Sequence, residues 1–320
     1  MRAPPGPGRV LGGFPRSAGS LSTVRAYLTG GTGFVGGWLL RHLADVGDTA
    51  VAPGPEIDIT DPALITADLK AALPDVVYHL AALTHVGQSW HEPAETFRVN
   101  AMGTLNLLEA AAACEVPPVV VLVSSAEVYG PAPEAATLDE RAELRPVTPY
   151  AVSKVAAEFL GLQAFLGRGL RVIRVRAFNH VGPGQVDDFV VSALARRMIE
   201  AELNNGGTVQ VGNLAAFRDF TDVRDVVRAY RLLATNGVAG EVYNVCSGRA
   251  VSIAALAAQM AGLLSCEVRL VTDPDLMRPV EVPVLVGDAS KLVAATGWHP
   301  TIELATTLSD VLDYWRERLA

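Results

Sequence analysis

The chain has 320 residues, half of them hydrophobic and only 19% charged, with a formal net charge of −8. Such hydrophobicity excludes a chain that stays unfolded in water, and the length allows a cofactor domain plus a smaller substrate domain. Net negative charge without any Lys/Arg-rich run excludes a nucleic-acid backbone as partner, and no run of about 18 uninterrupted apolar residues exists to span a membrane, so a cytoplasmic protein is expected.

Residues 1–23 hold four prolines and five glycines, which break any apolar or amphipathic helix, so a disordered tail or an over-extended start is expected there. From Arg25 onward, short apolar runs at 26–29, 49–52, 76–80, 119–124, 171–176 and 241–245 alternate with helix-period segments at about 34–46, 62–72, 93–113, 150–167, 186–203 and 222–235. This rhythm predicts an α/β fold, a Rossmann-type doubly wound parallel sheet whose strands are buried on both faces, with a smaller C-terminal substrate-binding lobe. The dinucleotide domain is expected over 24–178, the substrate lobe mainly over 179–320, with a return to the sheet at about 219–249. Cys114, Cys246 and Cys266 have neither disulfide-framework nor metal-type spacing and are expected to be reduced, mostly buried thiols.

Directly after the first run comes Thr29-Gly30-Gly31-Thr32-Gly33-Phe34-Val35-Gly36, opening the first helix. Glycines at 30, 33 and 36 suit a tight turn, close approach of backbone to a pyrophosphate, and close packing of helix on strand, with the helix N-terminus offering N–H groups to the anion. At the end of the second strand stands Pro53-Gly54-Pro55-Glu56, with no Asp at the strand tip and no Arg for a 2′-phosphate, so NAD and NADP both remain open. Asp58 is a candidate acceptor for the adenine amino group, or a helix-start signal together with Asp61. Ala81-Ala82 would let backbone approach the cofactor.

Tyr150 and Lys154 lie four residues apart, on one helical face. An adjacent ammonium is expected to lower the phenol's pKa, allowing proton exchange with a sugar hydroxyl or ketone. Ser124-Ser125-Ala126-Glu127 follows the fourth run at the carboxyl end of a strand, where open α/β sheets put their ligands, so a hydroxyl there can polarise the same oxygen.

These motifs resemble the extended short-chain dehydrogenase/reductases that modify nucleotide-sugars, from about residue 25 to the C-terminus. The resemblance implies a triad of Ser125, Tyr150 and Lys154, with Lys154 also holding the nicotinamide ribose. It implies a cofactor surface of Gly30, Gly33, Phe34, Val35, Gly36, Asp58, Ile59, Leu80, Ala81, Ala82, Asn100, Tyr150 and Lys154. Dehydratases of this kind carry Thr-Asp-Glu where this chain has Ser125-Ala126-Glu127; Ala126 cannot donate a proton, which disfavours dehydration. Glu127 is read as an acid–base group near the sugar, with a helix-initiating role as the alternative.

The stretches 176–185, 211–225 and 278–283 resemble the reductases of GDP-linked 4-keto-6-deoxymannose, which implies GDP-D-rhamnose as product. Asn179, Val211, Arg218, Arg278 and Glu281 are then the substrate residues, the guanidinium groups serving the diphosphate. Arg218 and Arg224 also stand among Asp219, Asp222 and Asp225 and have the alternative of structural ion pairs. His180 is either a substrate contact or a buried turn residue, and His85 is a weaker candidate. No histidine spacing suits a metal, and none is expected. A 4-epimerase retaining NAD would use the same triad, and a non-catalytic dinucleotide sensor is the alternative of a different class. Relatives commonly dimerise through the helices at 93–113 and 150–167, where the alanines at 110–113 and 156–157 are small enough for close helix contact, so a homodimer is expected.

Overall fold

The computed structural model describes residues 23–131, 137–276 and 282–320. The expectations for residues 1–22, for Arg278 and for Glu281 lie outside the described residues.

The chain starts with β1 (Arg25–Thr29), α1 (Phe34–Asp45), β2 (Thr49–Val51), α2 (Pro62–Ala72) and β3 (Val76–His79). Two short helices, α3 (Val86–Ser89) and α4 (Pro93–Phe97), precede a π-helical turn at Arg98–Met102 and α5 (Gly103–Ala112). Next come β4 (Val119–Ser125), α6 (Pro149–Arg168) and β5 (Val172–Ala177). A second lobe begins with β6 (Asn179–Val181), α7 (Val190–Leu203), β7 (Gly207–Val211) and β8 (Phe217–Asp222). Helix α8 (Val223–Asn236) leads to β9 (Val242–Val245), after which β10 (Ala250–Ser252), α9 (Ile253–Ala261), β11 (Val268–Thr272), β12 (Val284–Leu285), α10 (Ser290–Thr296) and α11 (Leu304–Leu319) complete the described chain.

Six strands form a parallel sheet in the order β2-β1-β3-β4-β5-β9. From β1 the chain moves first to β2 on one side and then to β3 on the other, so the β1/β3 junction is the switch point at which such sheets bind ligands. Strands β3, β5 and β9 are buried throughout, as their Val-rich sequences require with helices on both faces. One apolar cluster joins α1 and α8 to one face, and another joins α2 and α5 to the opposite face. Strand β2 corrects the expectation of burial on both faces: it is the sheet's edge, and Thr49, Ala50 and Val51 are all exposed.

The return to the sheet consists of α8 and β9, whereas β8 pairs with β6, β10 and β12 in the second lobe. That lobe has its own core, in which α7, α9 and α11 enclose Met198, Leu256, Met260 and Trp315. The single helix expected at 93–113 is three segments, because five residues adopt the wider π turn. Such turns concentrate at functional sites. The helix expected from 186 starts at Val190.

Candidate active site

The glycine turn closes at the switch point. Gly30 has φ of +74°, and a Cβ on it would stand 2.8 Å from the Ala81 nitrogen, so turn and β3 exit touch backbone to backbone. On Gly36 a Cβ would fall 2.3 Å from the Gly30 oxygen. Gly33 occupies the N-cap of α1 without a side-chain cap, and the first turn of α1 has no acidic residue. Its first N–H groups and the positive end of its dipole therefore face the turn uncompensated, an arrangement suited to a pyrophosphate.

At the far end of β2, the Glu56 carboxylate folds back to accept from Gly54 N at 3.0 Å. Asp58 is exposed and accepts from the Thr60 backbone and hydroxyl, each at 2.8 Å; these bonds, the backbone one foremost, lower its pKa. Asp61, not Asp58, caps α2. Ile59 turns its side chain into the core against Gly103, while its carbonyl accepts from Asn106. Leu80, Ala81 and Ala82 line the β3 exit half-buried.

Helix α6 starts where it does because Thr148 caps the N–H of Ala151 and Pro149 takes the first helical position. Tyr150 is thereby held in the first turn, with Lys154 one turn deeper, and both side chains are buried. Behind them on the same helix, the buried Glu158 carboxylate bonds Arg176 at 2.6 Å and Arg174 at 3.5 Å, fixing α6 to β5. Opening this ion cluster from one side would strand buried charge, so it constrains the helix strongly.

Ser125, at the end of β4, accepts from Glu127 N at 3.2 Å, and its side chain hydrogen-bonds Tyr150. Burial pushes the phenol up to about 12; the Ser125 bond opposes this and the Glu127 charge adds to it. Lys154 Nζ donates to the Val123 carbonyl at 2.8 Å, and burial brings its pKa down to about 8. The expectation that Lys154 lowers the phenol's pKa is thus corrected. With the ammonium turned to Val123, desolvation governs, and Tyr150 is a protonated acid at neutral pH.

Asn100, in the π turn, is buried and spends its whole amide on the protein. Its Oδ1 accepts from Leu83 N at 2.8 Å, while Nδ2 donates to Leu83 O at 3.0 Å and Ser153 Oγ at 2.9 Å. Ser153 in turn donates to the Tyr150 carbonyl at 2.7 Å. Asn100 therefore stands behind the cleft wall, joining it to the base of α6.

Across the cleft, Phe34 of α1 stacks on His180 of β6, with ring centroids 6.3 Å apart, and Trp38 Nε1 donates to Pro183 O at 2.9 Å. His180 Nδ1 bonds the Phe178 carbonyl, and burial lowers the ring's pKa. His85 caps the short α3 through Nδ1 and is exposed.

Asn179, Val211 and Arg218 line one cavity of about 200 Å³ in the second lobe. Arg197, Asn213 and Leu276 join them there; sequence reasoning missed these because α7 and the loops after β7 and β11 converge only in three dimensions. Arg218 is buried, with one nitrogen donating to its own neighbour's carbonyl at Phe217. Arg224 is the structural alternative, bonded to Asp222 and Asp310, each at 2.7 Å. Asp219 and Asp225 are likewise committed, to Ser247, Gly248 and Gly287 and to Arg228, Thr301 and Ile302.

A parallel sheet with a glycine turn at its switch point, and beside it a half-buried Ser125 with the buried Tyr150/Lys154 pair, defines an extended short-chain dehydrogenase/reductase. The model of the family described as GDP-mannose 4,6 dehydratase matches residues 55–311, and the chain belongs to that family. It is 40% identical over 303 residues to the GDP-6-deoxy-D-mannose reductase of Pseudomonas aeruginosa, covering 93% of this chain and 99% of the relative. The solved structure of RMD from Pseudomonas aeruginosa complexed with NADPH superposes with a TM-score of 0.86 at 39% identity, over 92% of this chain and 100% of that one. The UDP-glucose 4-epimerase of Thermus thermophilus in complex with NAD superposes with a TM-score of 0.79 at 27% identity, over 91% and 99%.

Proposed function

We propose that this protein reduces the 4-keto group of a nucleotide-linked 4-keto-6-deoxyhexose, converting GDP-4-keto-6-deoxy-D-mannose to GDP-D-rhamnose with NADPH or NADH. A reduced dinucleotide held by the glycine turn and the start of α1 would supply the hydride for C4 of the sugar. Tyr150, protonated at neutral pH, gives its proton to the developing O4 alkoxide, and Ser125 donates a second hydrogen bond to that oxygen. Lys154, anchored on the Val123 carbonyl and charged below about pH 8, is the group that holds the nicotinamide ribose. The uncapped start of α1 takes the dinucleotide's pyrophosphate, and Asn179, Val211 and Arg218 take the nucleotide part of the substrate. Glu127, half-buried beside Tyr150, faces the sugar.

The observation that carries this reading is the Tyr150 phenol, buried against Ser125 at the carboxyl end of β4, with Ala126 next in the chain. Alanine removes the acid that elimination of the 6-hydroxyl requires, which favours a reductase over a dehydratase within the same family. Likeness to the GDP-6-deoxy-D-mannose reductase supports the GDP-linked sugar. Among the described residues no helix is long and apolar enough to cross a membrane, which supports work in the cytoplasm.

The protein acts as a homodimer through α6 and the neighbouring π turn. Val152, Phe159 and Leu166 recur every seven residues on one face of α6, 39%, 53% and 72% exposed, with Met102 exposed nearby. Of the alanines expected at the contact, Ala110, Ala111 and Ala157 are buried within the chain, Ala112 and Ala156 are half-buried and Ala113 is exposed, so the large side chains supply most of the face.

Purified protein mixed with GDP-, UDP- and dTDP-linked 4-keto-6-deoxyhexoses and either reduced dinucleotide tests the function. The GDP-linked ketosugar is expected to deplete reduced-nicotinamide absorbance and yield GDP-D-rhamnose. No depletion with any of them sinks the reductase reading, and NAD retained through purification, with interconversion of 4-hydroxyl epimers, replaces it with an epimerase.

A further inference from the structure

His79, the last residue of β3, is only 3% exposed and has both ring nitrogens engaged. Nδ1 stands 2.7 Å from Thr29 Oγ1 and Nε2 stands 2.8 Å from Thr104 Oγ1. The direction of these bonds follows from the next groups along. Thr104 Oγ1 is 2.6 Å from the Asn100 carbonyl, which can only accept, so the hydroxyl's single proton lies there. Thr104 therefore offers His79 a lone pair, and Nε2 must carry the hydrogen.

Burial foremost, with the Lys154 charge adding to it, lowers the ring's pKa to about 3, so the imidazole is neutral and has one N–H to give. Nδ1 is then bare and accepts from the Thr29 hydroxyl, whose oxygen in turn accepts from Ala81 N at 3.3 Å. The result is a one-way chain: Ala81 N–H to Thr29, Thr29 O–H to His79, His79 Nε2–H to Thr104, and Thr104 O–H to the Asn100 carbonyl. Its two ends are segments of the candidate cofactor cleft. Ala81 abuts Gly30, and Asn100 holds Leu83 and the base of α6.

We propose that His79 is a positioning residue, a neutral Nε2–H imidazole that fixes the β3 exit against the Thr29-Gly30 turn and so sets the affinity for the dinucleotide. This rests on the dinucleotide reading of the cleft. The residue touches neither substrate nor reacting atoms, so its effect belongs to cofactor binding rather than to the chemical step.

Two measurements on the full chain test it. In protein with 15N-labelled histidine, the His79 ring is expected to show hydrogen on Nε2 and a bare Nδ1 at every pH at which the protein stays folded. Cofactor titrations of three variants supply the second. His79→Leu, which loses both ring hydrogen bonds, is expected to weaken binding of both NADPH and NADH at least roughly tenfold, with kcat at saturating cofactor near that of the parent. Asparagine can place its oxygen where Nδ1 accepts, so His79→Asn is expected to recover most of that affinity. Glutamine reaches only the Nε2 place, so His79→Gln recovers less, and these two variants keep the test open if the leucine protein does not fold. Hydrogen on Nδ1, a ring that titrates while the fold persists, or parental affinity in His79→Gln and His79→Leu overturns the proposal. Parent protein that binds neither dinucleotide overturns the cleft assignment itself, and this proposal with it.

Discussion

The Lys154 ammonium donates to the main-chain oxygen of Val123 at 2.8 Å, so the cation of the site is anchored on β4, with no carboxylate bonded to it among the described residues. Burial without a counter-charge brings its pKa from 10.5 to about 8. Between those values an unfolded chain binds a proton that the folded one lacks, so stability rises with pH across that window and the cost is fully present below pH 8. Lys154→Met is therefore expected to raise stability at neutral pH by about 1 to 3 kcal/mol, less than the full shift because Val123 O loses its donor. The gain should fade toward pH 10.5, while activity falls at least about 100-fold. Urea denaturation at neutral and alkaline pH checks this; a variant less stable than the parent at neutral pH contradicts it.

The Tyr150 phenol, at about 12, does not titrate in the working range, whereas Lys154 does. The pH profile of kcat/KM is accordingly expected to decline above about pH 8 as Lys154 loses its charge. Tyr150→Phe should lower kcat by about 10²- to 10⁴-fold while leaving dinucleotide affinity close to that of the parent. A profile that stays flat to pH 10 would show that the ammonium has no part in the reaction.

Adjacent glycines in α1 separate turn geometry from helix propensity. Gly36→Ala drives a Cβ to 2.3 Å from the Gly30 oxygen, whereas on Gly37 a Cβ meets nothing within 4 Å. Gly36→Ala is expected to abolish measurable dinucleotide binding, and Gly37→Ala to bind normally and gain up to about 1 kcal/mol in stability. Fluorescence titration with NADPH beside thermal melts distinguishes them; equal binding by both proteins would mean that the turn does not receive the pyrophosphate.

Much of this arrangement was legible because its signals are local. A glycine at φ of +74°, a Thr-Pro helix start before Tyr150 and Val-rich runs each reflect a backbone constraint written in neighbouring residues. The cavity around Arg218 was legible only in part. Asn179, Val211 and Arg218 stood out through resemblance, but Arg197 and Leu276 reach the same space from other elements, and no periodicity reports that register. His79 left a fainter signal. A ring at the carboxyl end of an otherwise apolar buried strand must find polar partners, yet Thr29 lies 50 residues away and Thr104 lies 25 away, so only the β1/β3 register and the π turn reveal them.

The α6 face offers the remaining prediction. Phe159 lies midway between Val152 and Leu166, and a two-fold dimer packing this stripe against its copy would place both phenylalanines near the axis. A stable interface needs roughly 800 Å² from each partner, so the stripe must act together with Met102 and the flanking polar residues. Phe159→Glu puts two carboxylates near that axis, where like charges losing water repel strongly. Light scattering is expected to give a dimer for the parent and a monomer for Phe159→Glu. Val116→Glu, at a position 77% exposed in the turn before β4, should remain dimeric and controls for added charge alone. Because Phe159 is more than half exposed in the single chain, the monomer should melt close to the intrinsic stability of one subunit, with a melting temperature no longer dependent on protein concentration. A Phe159→Glu protein that still scatters as a dimer would move the interface off α6.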